Sequence, residues 1–313
     1  MPEHFTFSRP VAAIILKTSS VAVFVGMQSF IKLAGVVPAG QIVFFRSFFA
    51  LIPILILLAW TGELRTAFYT SRPGRHVVRG LVGVSSMMLG FFALTRLPLP
   101  EAIMLNYAQP LLVVVISALV LGEVVRIFRW TAVAVGFLGV LIISWPKLTL
   151  FTSPDGMGSA EAVGVIAALI AAAISAVALL QVRSLVATEK SSTVVIWFSM
   201  TAAVIGLLTF PFGWAPLAGW QVFYLVMSGI CGGVAQVLMT EAYRHASVAT
   251  VAPFEYTSIL FGLVVGYLLF GDLPTIHSIV GGAIVVGSGL MIIWREQRLG
   301  IERAKARKVT PPQ

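Results

Sequence analysis

Apolar residues run along this chain in blocks of about twenty, separated by short polar or basic connections. Ten blocks fall at 11–31, 38–60, 77–95, 99–121, 128–146, 161–182, 192–212, 218–240, 247–270 and 275–294. At ~1.5 Å per residue each can cross a hydrocarbon layer of ~30 Å as a helix. The pattern therefore predicts an all-α, polytopic membrane protein of ten transmembrane helices, numbered here as spans 1 to 10.

Span 9 breaks its own pattern. It carries Pro253 and Glu255 inside the apolar run. Pro253 has no N–H and crowds the preceding turn, so the Ala249 carbonyl is expected to lose its helical partner. Glu255 sits roughly 12 Å into the span, too deep for its short side chain to reach the headgroups. At helical spacing Glu255, Ser258, Gly262 and Gly266 share a face expected to look inward; Phe254, Phe261, Val265 and Leu268 share one expected to meet lipid.

Composition agrees: 58% of the 313 residues are hydrophobic and 11% charged, with mean hydropathy +0.98. A net charge of +9 would point to nucleic acid in a soluble chain, but here the basic residues cluster between spans and in the tail. They read as topology signals, with no nucleic-acid partner. With both termini cytoplasmic, 16 basic residues fall on the inside, among them Arg72, Arg75 and Arg79, and only Lys32, Arg96 and Lys147 fall outside. Lys17 and Arg46 lie within spans. The single cysteine, Cys231, permits no intrachain disulfide, and four scattered histidines make no metal-binding pair. No metal or other cofactor is expected. Only two aspartates occur, and there is no phosphate-binding G-x-x-x-x-G-K-[ST], which argues against a membrane enzyme or an ATP-driven pump.

The connection 147–160, rich in Gly, Ser and Pro, is the natural seam between two five-span halves, 1–150 and 151–313. Sliding the second half by 149 residues sets Tyr107 on Tyr256, Leu111 on Leu260, Val115 on Val264, Leu119 on Leu268 and Glu123 on Asp272. Five is odd, so the two halves must insert with opposite orientation, as an inverted repeat with its site near the midplane. Small residues in span 6 (Gly164, Ala167, Ala168, Ala171, Ala172, Ser175, Ala176) and span 10 (Gly281, Gly282, Gly287, Gly289) predict close helix packing. Trp60, Trp130, Trp145 and Trp294 at span ends predict interfacial anchors.

Candidate chemistry starts with the intramembrane charges. Lys17 either snorkels to the cytoplasmic headgroups or pairs across the bundle, and Arg46, about eight residues into span 2, either snorkels outward or pairs across the bundle. Glu255 either binds substrate or a proton, or balances Lys17 or Arg46. A second tier is polar and uncharged. Asn106, Tyr107 and Gln109, beside Pro110, occupy the positions that the repeat sets against Glu255, Tyr256 and Ser258. Gln28, Gln181, Trp197 and Gln236 also lie within spans, as substrate contacts or as polar links between helices. Glu241 and Arg244 are spaced for a local ion pair.

IKLAGVVPAGQIVFFR, SRPGRHVVRG at 71–80, FFALTRLPLPEAIMLNYAQP at 91–110, LGE at 121–123, RWTAVAVGFLGVLII at 129–143 and EAYRHASVATVAPFEYTSILFGLVVGYLLFGD at 241–272 together carry a resemblance. The chain resembles the EamA-domain members of the drug/metabolite transporter superfamily over nearly its whole length. It looks most like the bacterial branch that includes S-adenosylmethionine and riboflavin permeases. The resemblance implies two inverted five-helix repeats, cytoplasmic termini in the inner membrane and a central cavity lined by spans 1, 3, 4, 6, 8 and 9. It also implies a small-molecule metabolite as cargo, driven by a proton, ion or solute gradient. Glu255 departs from the basic residue of the S-adenosylmethionine-type permeases, which speaks against that cargo. The alternative for the same bundle in the lipid bilayer is a channel or lipid scramblase.

Overall fold

The computed structural model describes residues 9–120, 122, 125, 127–148, 159–246 and 248–309. Most of the seam between the halves, 149–158, and Glu123 lie outside the described residues, so the match of Glu123 to Asp272 does too.

Ten helices among the described residues are long and apolar enough to cross a membrane. Span 1 is Arg9–Leu33, span 2 Ala39–Trp60, span 3 Pro73–Leu94, span 5 Ile127–Leu148, span 6 Ser159–Val186, span 7 Ser191–Leu208, span 8 Gly219–His245 and span 10 Ile276–Val309. Proline sets several starts: Pro38 precedes span 2 in an extended conformation, and Pro73 opens span 3 at a position that needs no N–H donor. That start lies four residues before the one read from hydropathy. The difference arises because polar residues at 71–80 dilute the apolar signal of a segment that is nonetheless helical, and it places Arg79, counted from sequence among the inside basic residues, about two turns into the helix instead of at its edge.

Spans 4 and 9 are broken. Span 4 is Leu99–Asn106 and Ala108–Val120, interrupted at Tyr107; span 9 is a helical turn Val248–Val251, a 3₁₀ stretch Ala252–Tyr256 and a helix Thr257–Phe270. Each break lies within three residues of a proline, Pro110 or Pro253, that removes an N–H from the ladder.

Span 1 packs along span 8 and span 3 along span 6; span 2 crosses spans 7 and 8; spans 5 and 10 pair with each other at one side. Exchanging each span for the one five places away carries the most extensive pairings into one another, span 1 with 8 into 6 with 3, span 2 with 8 into 7 with 3 and span 4 with 6 into 9 with 1, whereas the smaller contact of span 2 with span 3 has no counterpart of its size between spans 7 and 8. Small residues permit the close crossings. A Cβ on Gly281 would stand 2.6 Å from the Gly139 carbonyl, and one on Gly206 2.7 Å from the Phe44 nitrogen.

One expectation for span 9 needs correcting. Phe261 and Val265 pack against the core, and the exposed face is Leu260, Val264, Tyr267 and Leu268. At about 100° per residue the positions opposite buried Gly262 and Gly266 are Leu260, Val264 and Tyr267, which leaves Val265 beside the inner face. Phe254 is partly buried, and Leu268 is exposed as expected. Glu241 and Arg244 form the local pair, at 2.8 Å.

Candidate functional site

The breaks in spans 4 and 9 meet. A broken helix leaves carbonyls without partners, and in a membrane these must be satisfied from within the protein. The Tyr107 hydroxyl donates to the Glu255 carbonyl at 2.6 Å and lies 2.7 Å from Ser258 Oγ. The rings of Tyr107 and Tyr256 stack with centroids 4.7 Å apart, as the 149-residue offset anticipates. Tyr256 then reaches Gly289 of span 10, where a Cβ would collide with its hydroxyl.

Glu255 uses its side chain elsewhere. Its carboxylate pairs with the Lys17 ammonium of span 1, and Lys17 is fully buried whereas the Glu255 side chain is 45% exposed. Between the readings left open for Lys17, cross-bundle pairing is the one realised. The Lys17 ammonium also sits 5.4 Å from the centre of the Tyr243 ring, whose electron-rich face attracts it. Such a pair has one partner locked and one accessible, so the carboxylate is the half that a solute or a proton can reach.

Beside the breaks lies a cavity of about 160 Å³, walled by Gln28, Ser86, Gly90, Asn106, Ala168 and Ala171 among others. Those residues come from spans 1, 3, 4 and 6. Gln28 Oε1 is buried without a hydrogen-bond partner, and Ser86 Oγ donates to the Ala171 carbonyl at 2.9 Å. Gln109, partly buried, follows Tyr107 by two residues.

The remaining candidates disperse. Gln181 lines a separate groove with Arg75, Val78 and Ser184, and Gln236 lines a cleft of about 620 Å³ between spans 2, 6, 7 and 8. Trp197 donates its indole N–H to the Phe68 carbonyl at 3.3 Å and lies against the His76 ring, centroids 5.5 Å apart. Arg46 pairs with no acid among the described residues, and its Nε is buried without a partner.

Three features carried no local sequence signal. His76, fully buried, meets Glu189 at 2.5 Å across 113 residues of chain, and Thr70 donates to the other Glu189 oxygen at 2.5 Å. Burial pushes the Glu189 carboxyl up, but the hydrogen bonds from Thr70 and His76, the His76 charge and the Ser71 N–H more than offset it and hold the group below its usual range. Arg79, the third, is partly buried against Phe198, with its guanidinium 3.6 Å from the ring centre.

A family profile described as "EamA-like transporter family" matches residues 10–145 and 162–294. A riboflavin transporter of Rhizobium johnstonii is 29% identical over 262 residues, which cover 83% of each chain. The S-adenosylmethionine uptake transporter of Rickettsia prowazekii is 26% identical, over 82% of this chain and 84% of that one. The pseudopaline exporter CntI of Pseudomonas aeruginosa is 30% identical over 285 residues, covering 88% of this chain and 93% of its own.

Proposed function

The chain belongs to the EamA-like transporter family, and from that premise we propose that it is a secondary active transporter of the bacterial inner membrane. It moves a small organic metabolite by alternating access, with both termini cytoplasmic. The relatives are named as transporters, and the cargoes in their names differ from one another, as do their directions: one is named for uptake and another for export. The reading therefore rests on this chain's own site.

The observation that carries it is the meeting of two broken helices at Tyr107 and Glu255. A helix interrupted in the bilayer is costly, and two interrupted at repeat-related positions and bonded to each other form the arrangement in which carriers bind solutes. In this reading the cargo occupies the cavity beside Gln28 and Asn106. Glu255 exchanges Lys17 for a proton or for a cationic group of the cargo. Two inverted repeats, 1–150 and 151–313, supply the two halves that rock, and the correspondence of the most extensive span pairings under a shift of five supports that two-fold relation.

Counterflow in proteoliposomes tests the proposal. Purified protein loaded with candidate metabolites should show saturable exchange, and Glu255→Gln should lower it by about tenfold or more, with a changed pH dependence. Non-saturating flux would identify a channel, and lipid movement without solute exchange a scramblase. Wild-type exchange by Glu255→Gln with an unchanged pH profile would remove Glu255 from the mechanism.

A further inference from the structure

Two arginines lie within the bundle without an ion-pair partner among the described residues. Arg46 sits a third of the way along span 2, and its Nε is buried without a hydrogen-bond partner. It lies against the midpoint of span 8: a Cβ on Gly232 would stand 3.3 Å from Nε and 2.9 Å from Met27 Sδ. Arg79 comes from span 3. Its Nε and Nη1 are also buried without partners, and Nη1 lies 3.1 Å from where a Cβ on Gly83 would be. The side chain thus folds along its own helix toward Ser86 and Gly90, which wall the cavity. Spans 2 and 3, which carry the two arginines, pack against each other.

The acids that could balance this pair are engaged elsewhere. Glu255 is held by Lys17, Asp272 by Lys32, Glu189 by His76, and Glu63 and Glu241 by Arg244; no ion pair among the described residues includes Arg46 or Arg79. The Phe198 ring, 3.6 Å from the Arg79 guanidinium carbon, supplies cation–π attraction, but it leaves the buried Nε and Nη1 donors without hydrogen-bond partners. An unpaired buried charge is costly, and two of like sign are costlier. Arginine is also the side chain whose planar fork matches carboxylate and phosphate.

We propose that Arg46 and Arg79 form an anion-binding subsite, which takes the carboxylate or phosphate group of the transported solute. The cargo class is then an organic anion, seated with its acidic group between spans 2 and 3 and its body in the cavity walled by Gln28 and Asn106. The subsite deepens the transport reading and rests on it for its role in transport. Binding itself does not depend on that reading.

The test uses full-length protein in nanodiscs of phosphatidylcholine, which carries no net charge. Thermal unfolding is followed in potassium chloride, citrate or phosphate at equal ionic strength. Citrate or phosphate should raise the midpoint beyond chloride in the wild type, and which of them does so separates carboxylate from phosphate recognition. Arg46→Gln and Arg79→Gln should each weaken the apparent affinity by roughly ten- to hundred-fold, and Arg46→Lys and Arg79→Lys should retain part of it. In chloride alone each glutamine variant should be no less stable than the wild type, because an unpaired charge has been removed. Equal midpoints in all three salts, or an oxyanion shift that survives in both glutamine variants, would overturn the proposal. So would glutamine variants that lose stability in chloride and keep the wild-type response to citrate and phosphate. Oxyanion binding without counterflow would defeat the transport reading and leave the subsite standing; counterflow indifferent to both glutamine substitutions would do the reverse.

Discussion

The two ends of the bundle are closed by different means. At the end that carries Lys32, polar groups tie the spans around the cavity directly to one another. Lys32 pairs with Asp272 at 3.1 Å and donates to the Leu97 carbonyl at 2.7 Å, Asp272 accepts the Leu99 N–H at 3.0 Å, and Gln221 donates to the Ala34 carbonyl at 2.9 Å. Gly271 makes this possible. Its φ of +66° lets span 9 end in a left-handed turn in which the Asp272 N–H returns to the Gly266 carbonyl, and the carboxylate swings back over the first half. At the opposite end the contacts gather to one side, where Thr70 and His76 hold Glu189 and Phe68 holds Trp197. The ends of spans 6 and 8 remain apart. Val182 and Val186 face Gln236, Thr240 and Tyr243 across the cleft of about 620 Å³. In the transport reading proposed above, a bundle tied together at one end and parted at the other corresponds to one state of the cycle.

The largest effect is expected from unsealing the closed end. Asp272→Ala leaves the Lys32 ammonium and the Leu99 N–H without their shared acceptor in a site that is more than four-fifths buried, which should cost about 1–3 kcal/mol. Chemical unfolding would measure it. Adding Lys32→Met to Asp272→Ala should recover part of the loss. Exchanging the charges, Lys32→Asp with Asp272→Lys, should not: the new ammonium would face the Leu99 N–H and the new carboxylate the Leu97 carbonyl. Full recovery by the exchange would mean that only net charge matters at this end.

Much of this contrast is invisible in the chain itself. The ten spans are legible because each is a local property of about twenty residues, and the two breaks are legible because Pro110 and Pro253 are local too. The Tyr107–Tyr256 stack follows from internal similarity, which carries information between distant residues. His76 and Glu189 have no such clue: a histidine near a helix start reads as a surface residue until a partner 113 positions away covers it. Arg79 sits with Arg72 and Arg75 at the cytoplasmic edge of an apolar block, and by local pattern it reads as one more topology signal. Gln181, Trp197 and Gln236 were grouped with Glu255 because they are polar and within spans. A span of 18 to 28 residues is much longer than the site, and only about one turn of each faces it. Lys17 was one of two partners open to Glu255, and three-dimensional proximity alone chose between it and Arg46.

Accessibility sharpens the contrast with a smaller effect. In a Cys231→Ala background, Gln236→Cys places a thiol on the cleft wall, and Ala34→Cys places one at the sealed end, where Ala34 is fully buried. A water-soluble maleimide should label the first at least about tenfold faster, since a buried thiol is inert. Introducing Asp272→Ala should narrow the ratio by raising the rate at position 34. Equal rates before that change would mean that the two ends are alike in solution.

The smallest effect concerns the contacts beside the cleft. Glu189 has a folded-state pKa below its ordinary value of 4.5, so its contribution to stability is fully present above 4.5 and is lost as pH falls through the depressed folded value. Glu189→Gln keeps an acceptor for Thr70 but removes the charge that His76 meets, and should cost about 1 kcal/mol near neutrality. The difference in unfolding free energy between wild type and Glu189→Gln should therefore shrink as the pH is lowered below 4.5. The anchor is local, so the cleft should stay open in the variant, with Gln236→Cys labelled at its former rate. A Glu189→Gln protein whose cleft closes to maleimide would show that this pair props the halves apart rather than fastening one corner of them.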